Sequence, residues 1–253
     1  MKIGIIGLGA VGGTIYHALK FYHEKVLGFD KLKKCKSFDE VLKAEVIFIA
    51  LPTNSKKGRL DCSLISNMLK KLERRKYNGV VVIKSTLSMD FVSEIENSPL
   101  RVVVMPEFLH ERSSLQDFVR PKVVVIAGNK LDVDFVINKV FYWLEEKIPI
   151  FYVDYKTAIM TKLVMNAFAA TKISFVNEVK RICSDFDVDP KIVMKVVVCE
   201  GRMAPEYSDP TKGPFGGKCL PKDLMELIKC SNKSILLKAV MKVNEVIKKE
   251  RED

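Results

Sequence analysis

Lys2-Ile3-Gly4-Ile5-Ile6-Gly7-Leu8-Gly9-Ala10-Val11-Gly12-Gly13 is a short β-branched run that ends in a G-x-G-x-x-G pattern. A helical pattern follows through Ile15, Ala18, Leu19 and Tyr22, and then Val26-Leu27-Gly28-Phe29-Asp30, a second strand closed by an acid. Strand, glycine turn, helix, strand and acid, in that order, form the context in which this glycine pattern binds a dinucleotide. Gly7 makes the tight turn, Gly9 lets a pyrophosphate approach the backbone, and Gly12 lets the helix pack on the strand. Ala10 and Val11 lie in the same loop and first turn. Asp30 is placed to accept the adenosine ribose hydroxyls and to repel a 2′-phosphate, so the expected cofactor is NAD rather than NADP. A generic glycine-rich turn is the weaker alternative once strands, helix and acid are all present.

Outward from this unit, strands and helices keep alternating. Strands are expected at Glu45–Leu51, Val80–Lys84, Arg101–Met105, Lys122–Ala127 and Ile150–Val153. Helices are expected around Asp39–Lys43 and over Asp61–Arg74, Met89–Asn97 and Leu131–Glu146. Alternation of this kind implies a parallel, doubly wound α/β sheet of the Rossmann type. The runs at 80–84 and 101–105 lack a period of two, as strands buried on both faces do. Ligands bind beyond the carboxyl ends of such strands. There lie Pro52-Thr53-Asn54, Ser85-Thr86 and Pro106-Glu107-Phe108-Leu109-His110-Glu111, bringing small hydroxyls and two carboxylates.

After Asp154 the character changes. Residues 154–182 form one long helical stretch without Gly or Pro, apolar nearly all round. Such a helix is buried on most sides. One small domain can hardly bury it, so a homodimer through this helix is expected. The division is a dinucleotide-binding domain over 1–153 and an all-α domain with a long central helix over 154–253. Lys162 and Asn166 stand out on that helix, one turn apart, with Asn177 near the same stripe. Lys162 either snorkels to the surface or joins Asn166 in facing a site. A helix opened by Asp189-Pro190 runs through Val198, and a Pro- and Gly-rich loop with Arg202 and Tyr207 leads to Gly213-Pro-Phe-Gly-Gly-Lys-Cys-Leu-Pro-Lys-Asp223. Pro221 suits the first turn of a helix. Cys219 then sits at a helix start between Lys218 and Lys222, features that favour a thiolate. Asp223 follows by four residues and can cover the same face. A structural cysteine behind a glycine turn is the ordinary alternative.

Composition narrows the rest. The 253 residues are 48% hydrophobic, enough for one large domain or two ordinary ones. No apolar run is long enough for a membrane span, and the N-terminus has no signal-peptide pattern. Six scattered cysteines without a CxxC pair suggest reduced thiols in the cytoplasm, and three histidines show no metal-ligand spacing. The net charge of +11 suits a solvated surface first and anionic ligands second. Nucleic acid is least favoured, because the lysines are spread out and not interleaved with aromatics.

The ordered motifs resemble the UDP-glucose/GDP-mannose 6-dehydrogenase family. They are Gly7–Gly12 with Asp30, Leu51-Pro52-Thr53 with Gly58-Arg59-Leu60-Asp61, Lys84-Ser85-Thr86-Leu87, Met105–Glu111, Lys162 through Asn166 to Asn177-Glu178, and Phe215–Asp223. The resemblance implies an NAD-dependent four-electron oxidation of a sugar-nucleotide C6 alcohol to a carboxylate, UDP-glucose being the first candidate. It implies that Cys219 attacks the C6 aldehyde, while Lys162 and Asn166 stabilise charge on the C6 oxygen. Asp223 with Thr86 would position water or relay protons, and Glu107 would serve hydrolysis. Pro52, Thr53, Ser85, Thr86, Glu111 and Lys222 would lie against the cofactor. Phe108, Leu109, Phe215, Gly216, Tyr207 and Arg202 would hold the sugar, Arg202 across the dimer interface. The family also has a third, nucleotide-binding domain, expected to begin where this chain ends at Asp253, so that affinity for the nucleotide should be weak. Two alternatives stay open. One is a β-hydroxyacid-type dehydrogenase using Lys162 without a thiol. The other is an NAD-binding accessory protein without catalysis.

Overall fold

The structure, a computed structural model, describes residues 1–33, 35–110 and 112–252. By internal contacts the chain divides into two compact units. The first is Met1–Asn54 with Asp61–Lys162, and the second is Ser55–Leu60 with Leu163–Asp253.

The first unit is built on a seven-stranded sheet. Its strands are β1 (Lys2–Ile6), β2 (Lys25–Phe29), β3 (Val46–Ile49), β6 (Val80–Ile83), β7 (Arg101–Val104), β8 (Val124–Gly128) and β9 (Ile150–Val153), in the order β2-β1-β3-β6-β7-β8-β9. The short strands β4 (Ser55–Lys56) and β5 (Arg59–Leu60) belong to the second unit. Every pair in the large sheet is parallel except β7 with β8. The order reverses between β1 and β3, the switch point at which open α/β sheets bind ligands. Strands β3 and β6 are buried at every residue, which explains their unbroken apolar sequence. Ile3, Ile5, Phe48, Val82 and Ile126 of the sheet pack against Ile15 and Leu19 of α1 (Ala10–Leu19) and against Val136 and Phe141.

The helix expected over Leu131–Glu146 is shorter. After α6 (Lys130–Phe135) the chain makes a π-helical turn over Val136–Val140 and leaves the helix at Phe141. Tertiary contacts explain the early end. Phe141 is buried, Trp143 stacks on Tyr22 at 3.8 Å, and its indole N–H donates to the Val119 carbonyl at 3.1 Å. A continued helix would give up these aromatic contacts. Among the described residues one helical turn, α2 (Phe38–Val41), lies between β2 and β3, and it is opened by a capping box between Ser37 and Glu40. A helix absent from the sequence reading, α5 (Ser114–Val119), packs beside α1, where the Thr14 hydroxyl donates to Ser114 at 3.1 Å.

The second unit is helical, with one small hairpin. Its helices are α7 (Tyr155–Asp185) from Leu163 onward, α8 (Pro190–Cys199), α9 (Leu220–Lys229) and α10 (Ile235–Glu252). Ala167, Ala170, Phe215, Leu224 and Val240 form its core. Strands β4 and β5 meet at Lys57 and Gly58, both with positive φ, as a tight hairpin turn requires. Glu226 of α9, fully buried, accepts from the Leu60 N–H at 2.7 Å and pairs with Arg59 at 3.2 Å. Contrary to the expectation from composition, α7 is long and apolar enough to cross a membrane by length and hydropathy, although 44% of its apolar window is already buried within the chain.

Candidate active site

The loop after β1 is shaped by its glycines. Gly7 has φ +89°, and a Cβ there would lie 2.6 Å from the Ala50 carbonyl oxygen. At Gly12 a Cβ would lie 1.8 Å from the Gly7 carbonyl oxygen, so helix and strand approach as closely as backbones can. Gly9 differs: a Cβ there would meet nothing within 4 Å, and the space over it is open for a ligand. α1 begins at Gly9 with no side-chain cap and no acid in its first turn. Its first N–H groups, at Ala10 and Val11 among others, therefore present partial positive charge to an anion such as a pyrophosphate. Asp30, just past β2, accepts from the Leu8 N–H at 2.7 Å and from the Leu32 N–H at 2.8 Å. Burial pulls its carboxyl upward, but these N–H groups and Lys33 outweigh it and hold the group below the usual carboxylate range. An ionised Asp30 beside an uncapped helix start fits NAD.

Beyond β3 and β6, Thr53 is buried and donates to the Thr86 carbonyl at 2.8 Å, while Ser85 donates to the Leu51 carbonyl at 2.7 Å. These bonds tie the two loops together, with Pro52 exposed at the edge. Beyond β7, Glu107 is ion-paired to Lys162 at 3.1 Å, both side chains about a tenth exposed. The other Glu107 oxygen accepts from the Leu109 N–H at 2.6 Å, and the Lys162 ammonium lies 5.7 Å from the centre of the Phe108 ring. Leu109 packs on the core of the sheet. Glu111 lies outside the described residues. The sequence had placed Glu107 and Lys162 in separate motifs; the structure joins them. It also adds Lys84, at the end of β6, which is buried with its amine 3.3 Å from the Pro106 carbonyl oxygen. Burial pushes the Lys84 ammonium down to about 7, Glu107 acting to raise it and Lys162 to lower it further. A charged residue closing an apolar strand was the sequence signal for Lys84.

In the second unit Cys219 is the N-cap of α9, and it is exposed. Exposure removes the structural alternative of a buried cysteine. Pro221 stands in the first turn, as expected. Asp223, one turn along, is fully buried, and its carboxylate is compensated by Lys222 at 2.6 Å and by the Asn166 amide of α7. Asn166, Lys222 and Asp223 thus form one cluster in the first turn of α9 and on α7. Gly216 is exposed with open space around it. Phe215, expected against the sugar, is buried in the same cluster as Ala170, Leu224 and Val240. Arg202 is exposed and pairs with Glu200, and Tyr207 is exposed with positive φ.

The loop before Cys219 is clamped by two buried amides. Asn177 donates to the Gly213 carbonyl at 2.9 Å. Asn244 of α10 accepts from the Phe215 N–H at 2.8 Å and donates to its carbonyl at 3.1 Å. The sequence reading passed over Asn244, which stands in a charged tail helix with nothing local to mark it. Asn244→Leu leaves two buried backbone groups unpaired and should destabilise the chain by about 2–4 kcal/mol. Denaturant unfolding measures this, and a loss under about 1 kcal/mol would contradict the clamp. Among the described residues no cluster of three His, Cys, Asp or Glu side chains could hold a metal ion.

A doubly wound sheet with a glycine-lined helix start and an ionised acid just past its second strand defines a dinucleotide-binding protein. Residues 30–145 match the NAD binding domain of the UDP-glucose/GDP-mannose dehydrogenase family, and residues 156–246 match its central domain. The chain belongs to that family, and its cofactor is NAD. It is 32% identical over 250 residues to a UDP-glucose 6-dehydrogenase of Rickettsia felis, covering 91% of this chain and 55% of the relative. It is 27% identical to a UDP-glucose 6-dehydrogenase of Streptococcus pneumoniae, covering 98% of this chain and 74% of the relative. A solved UDP-glucose dehydrogenase from Pyrobaculum islandicum superposes with a TM-score of 0.86 at 24% identity, over 97% of this chain and 68% of that one. The chain spans about half the length of the first curated relatives it matches.

Proposed function

We propose that the chain is the catalytic part of an NAD-dependent sugar-nucleotide 6-dehydrogenase acting on UDP-glucose or a close relative. The observation that carries this reading is the exposed Cys219 thiol at the start of α9, one turn from the buried Asp223 that Asn166 and Lys222 both contact. The Gly7–Gly12 loop would hold NAD, and two NAD molecules bound in turn would supply the acceptors for the two hydrides, one leaving the C6 alcohol as its hydroxyl proton is lost and one leaving the carbon bonded to sulfur. Cys219 Sγ adds to the C6 aldehyde, and the carbonyl electron pair moves to oxygen, which takes a proton. Loss of the second hydride leaves a thioester. Water then adds, the C–S bond breaks, and the acid and the thiol are released. Lys162 and Asn166 stabilise the C6 oxygen as charge develops on it. Glu107 orients or deprotonates water, with Asp223 and Thr86 assisting. Asp30, Pro52, Thr53, Ser85, Glu111 and Lys222 serve the cofactor. Phe108, Leu109, Phe215, Gly216, Tyr207 and Arg202 serve the sugar.

The test is a panel of sugar nucleotides and small hydroxyacids assayed for NAD reduction, with Cys219→Ser as control. Reduction with UDP-glucose that is lost in the variant supports the reading. Activity that survives the loss of Cys219 would favour a β-hydroxyacid-type enzyme. NAD binding without any turnover would favour an accessory role.

The protein is further proposed to act as a homodimer in the cytoplasm, for which six free thiols are suited. Val164, Phe168, Phe175 and Ile182 are each 46–64% exposed on α7. Their spacing places them within about 40° of one another around the helix. A second copy is the proposed cover for that stripe. Phe168→Asp should convert dimer to monomer in sedimentation velocity; a monomeric wild type would remove the proposal.

A further inference from the structure

Lys84 has no part in the chemistry proposed above, yet it is a buried cation of the first unit. It closes β6, a strand otherwise made of Val80, Val81, Val82 and Ile83, and only 4% of it is exposed. Its backbone N–H continues the sheet by donating to the Ile49 carbonyl at 2.9 Å, so the side chain starts from a rigid point. Its amine reaches across to β7 and lies 3.3 Å from the Pro106 carbonyl oxygen. The next residue is Glu107, which holds Lys162 at 3.1 Å. The charged groups that act on Lys84 are therefore Glu107, beyond β7, and Lys162, on α7. The neighbour on its other side, β3 (Val46–Ile49), is uncharged.

We propose that Lys84 is a positioning residue for the Glu107–Lys162 pair, fixing the Pro106–Glu107 backbone and placing a buried amine beside both side chains. When Lys84 is protonated, the three groups sum to one positive charge. That charge attracts the Glu107 carboxylate and repels the Lys162 ammonium. When Lys84 is neutral, the pair is balanced and the attraction between Glu107 and Lys162 acts alone. Burial lowers the Lys84 ammonium to about 7 because water cannot solvate its charge. The Glu107–Lys162 pair would thus respond to pH through a neighbour that touches no substrate.

In its consequence for catalysis this proposal rests on the dehydrogenase reading, but its physical core does not. The intact protein, labelled with 13C at lysine Cε, is titrated by NMR from pH 5 to 11. One lysine should titrate near pH 7 and be missing from Lys84→Met. Glu107→Gln removes the negative charge and should move that midpoint down, whereas Lys162→Met removes the opposing positive charge and should move it up. A Lys84 resonance with the ordinary lysine midpoint, or one unmoved by both variants, overturns the proposal. The second readout is the pH profile of NAD reduction with UDP-glucose. Lys84→Met should lose the ionisation near pH 7 that the wild type shows, and a profile unchanged in shape also overturns it. Lys84→Gln, shorter and still able to reach a carbonyl, serves if the methionine variant does not fold. A wild type that reduces no NAD would sink the dehydrogenase reading alone, since the NMR midpoints still decide the role of Lys84.

Discussion

Cys219→Ser is expected to reduce acid formation from UDP-glucose by on the order of 10⁴-fold or more, the scale of loss when a nucleophile is deleted from an acyl-transfer enzyme. That corresponds to about 5 kcal/mol of transition-state stabilisation. The reason is chemical. Serine offers an alcohol in place of a thiol, and without a paired base the alcohol is a poor nucleophile. The second oxidation requires carbon bonded to sulfur, so it should fail even if the first still runs. Cys219 is exposed and its side chain caps no N–H group, so the substitution should leave the fold intact. NAD affinity and the unfolding midpoint should match the wild type. Two observations check this together: a time course of NADH with UDP-glucose, and an NAD titration of the same preparation. Wild-type rates in the serine variant would refute the assignment of the nucleophile.

Gly12→Ala should cost about 3 kcal/mol of stability, at the upper end for a methyl group forced into packed structure. A Cβ at this position would lie 1.8 Å from the Gly7 carbonyl oxygen and 3.1 Å from the Ala50 Cβ. The first of these is backbone and cannot swing aside. α1 must move off the end of β1, taking the loop over which NAD lies with it. NAD affinity should fall at least about tenfold, equal to 1.4 kcal/mol. Gly9→Ala is the informative contrast. Its Cβ meets nothing within 4 Å, so stability should stay within about 0.5 kcal/mol. NAD should still bind more weakly, because the added methyl occupies the space a pyrophosphate would approach. Urea unfolding and NAD titration of both variants separate the two effects. Equal stability losses at Gly12 and Gly9 would refute this account.

Much of the fold was legible because it is written in local pattern. The glycine spacing, the unbroken apolar strands and the proline-marked starts of α8 and α9 act within a few residues, where sequence order and spatial order coincide. Elements that answer to distant partners were not legible. The helix over Leu131–Glu146 has sound periodicity, yet it ends at Phe141 because Phe141 enters the core and Trp143 stacks on Tyr22. The hairpin Ser55–Leu60 carries only a Lys-Gly turn as a signal, and its anchor, Glu226, lies 166 residues away from Leu60. The candidate site divides in the same way. Cys219 and Asp30 are marked by their own neighbours. Lys84 and Asn244 acquire meaning only from the Pro106 carbonyl and the Phe215 peptide groups that they touch.

By itself the sequence determined the dinucleotide-binding sheet, the family and NAD as cofactor. Periodicity, glycine geometry and helix starts are short-range properties of a chain. Only the tertiary structure decided that Glu107 pairs with Lys162, that Asn166 and Lys222 share Asp223, that Phe215 is core, and that Lys84 is buried beside a charged pair. Desolvation and pairing set the charge and reach of those groups. Both depend on which distant atoms exclude water, and no local pattern encodes that.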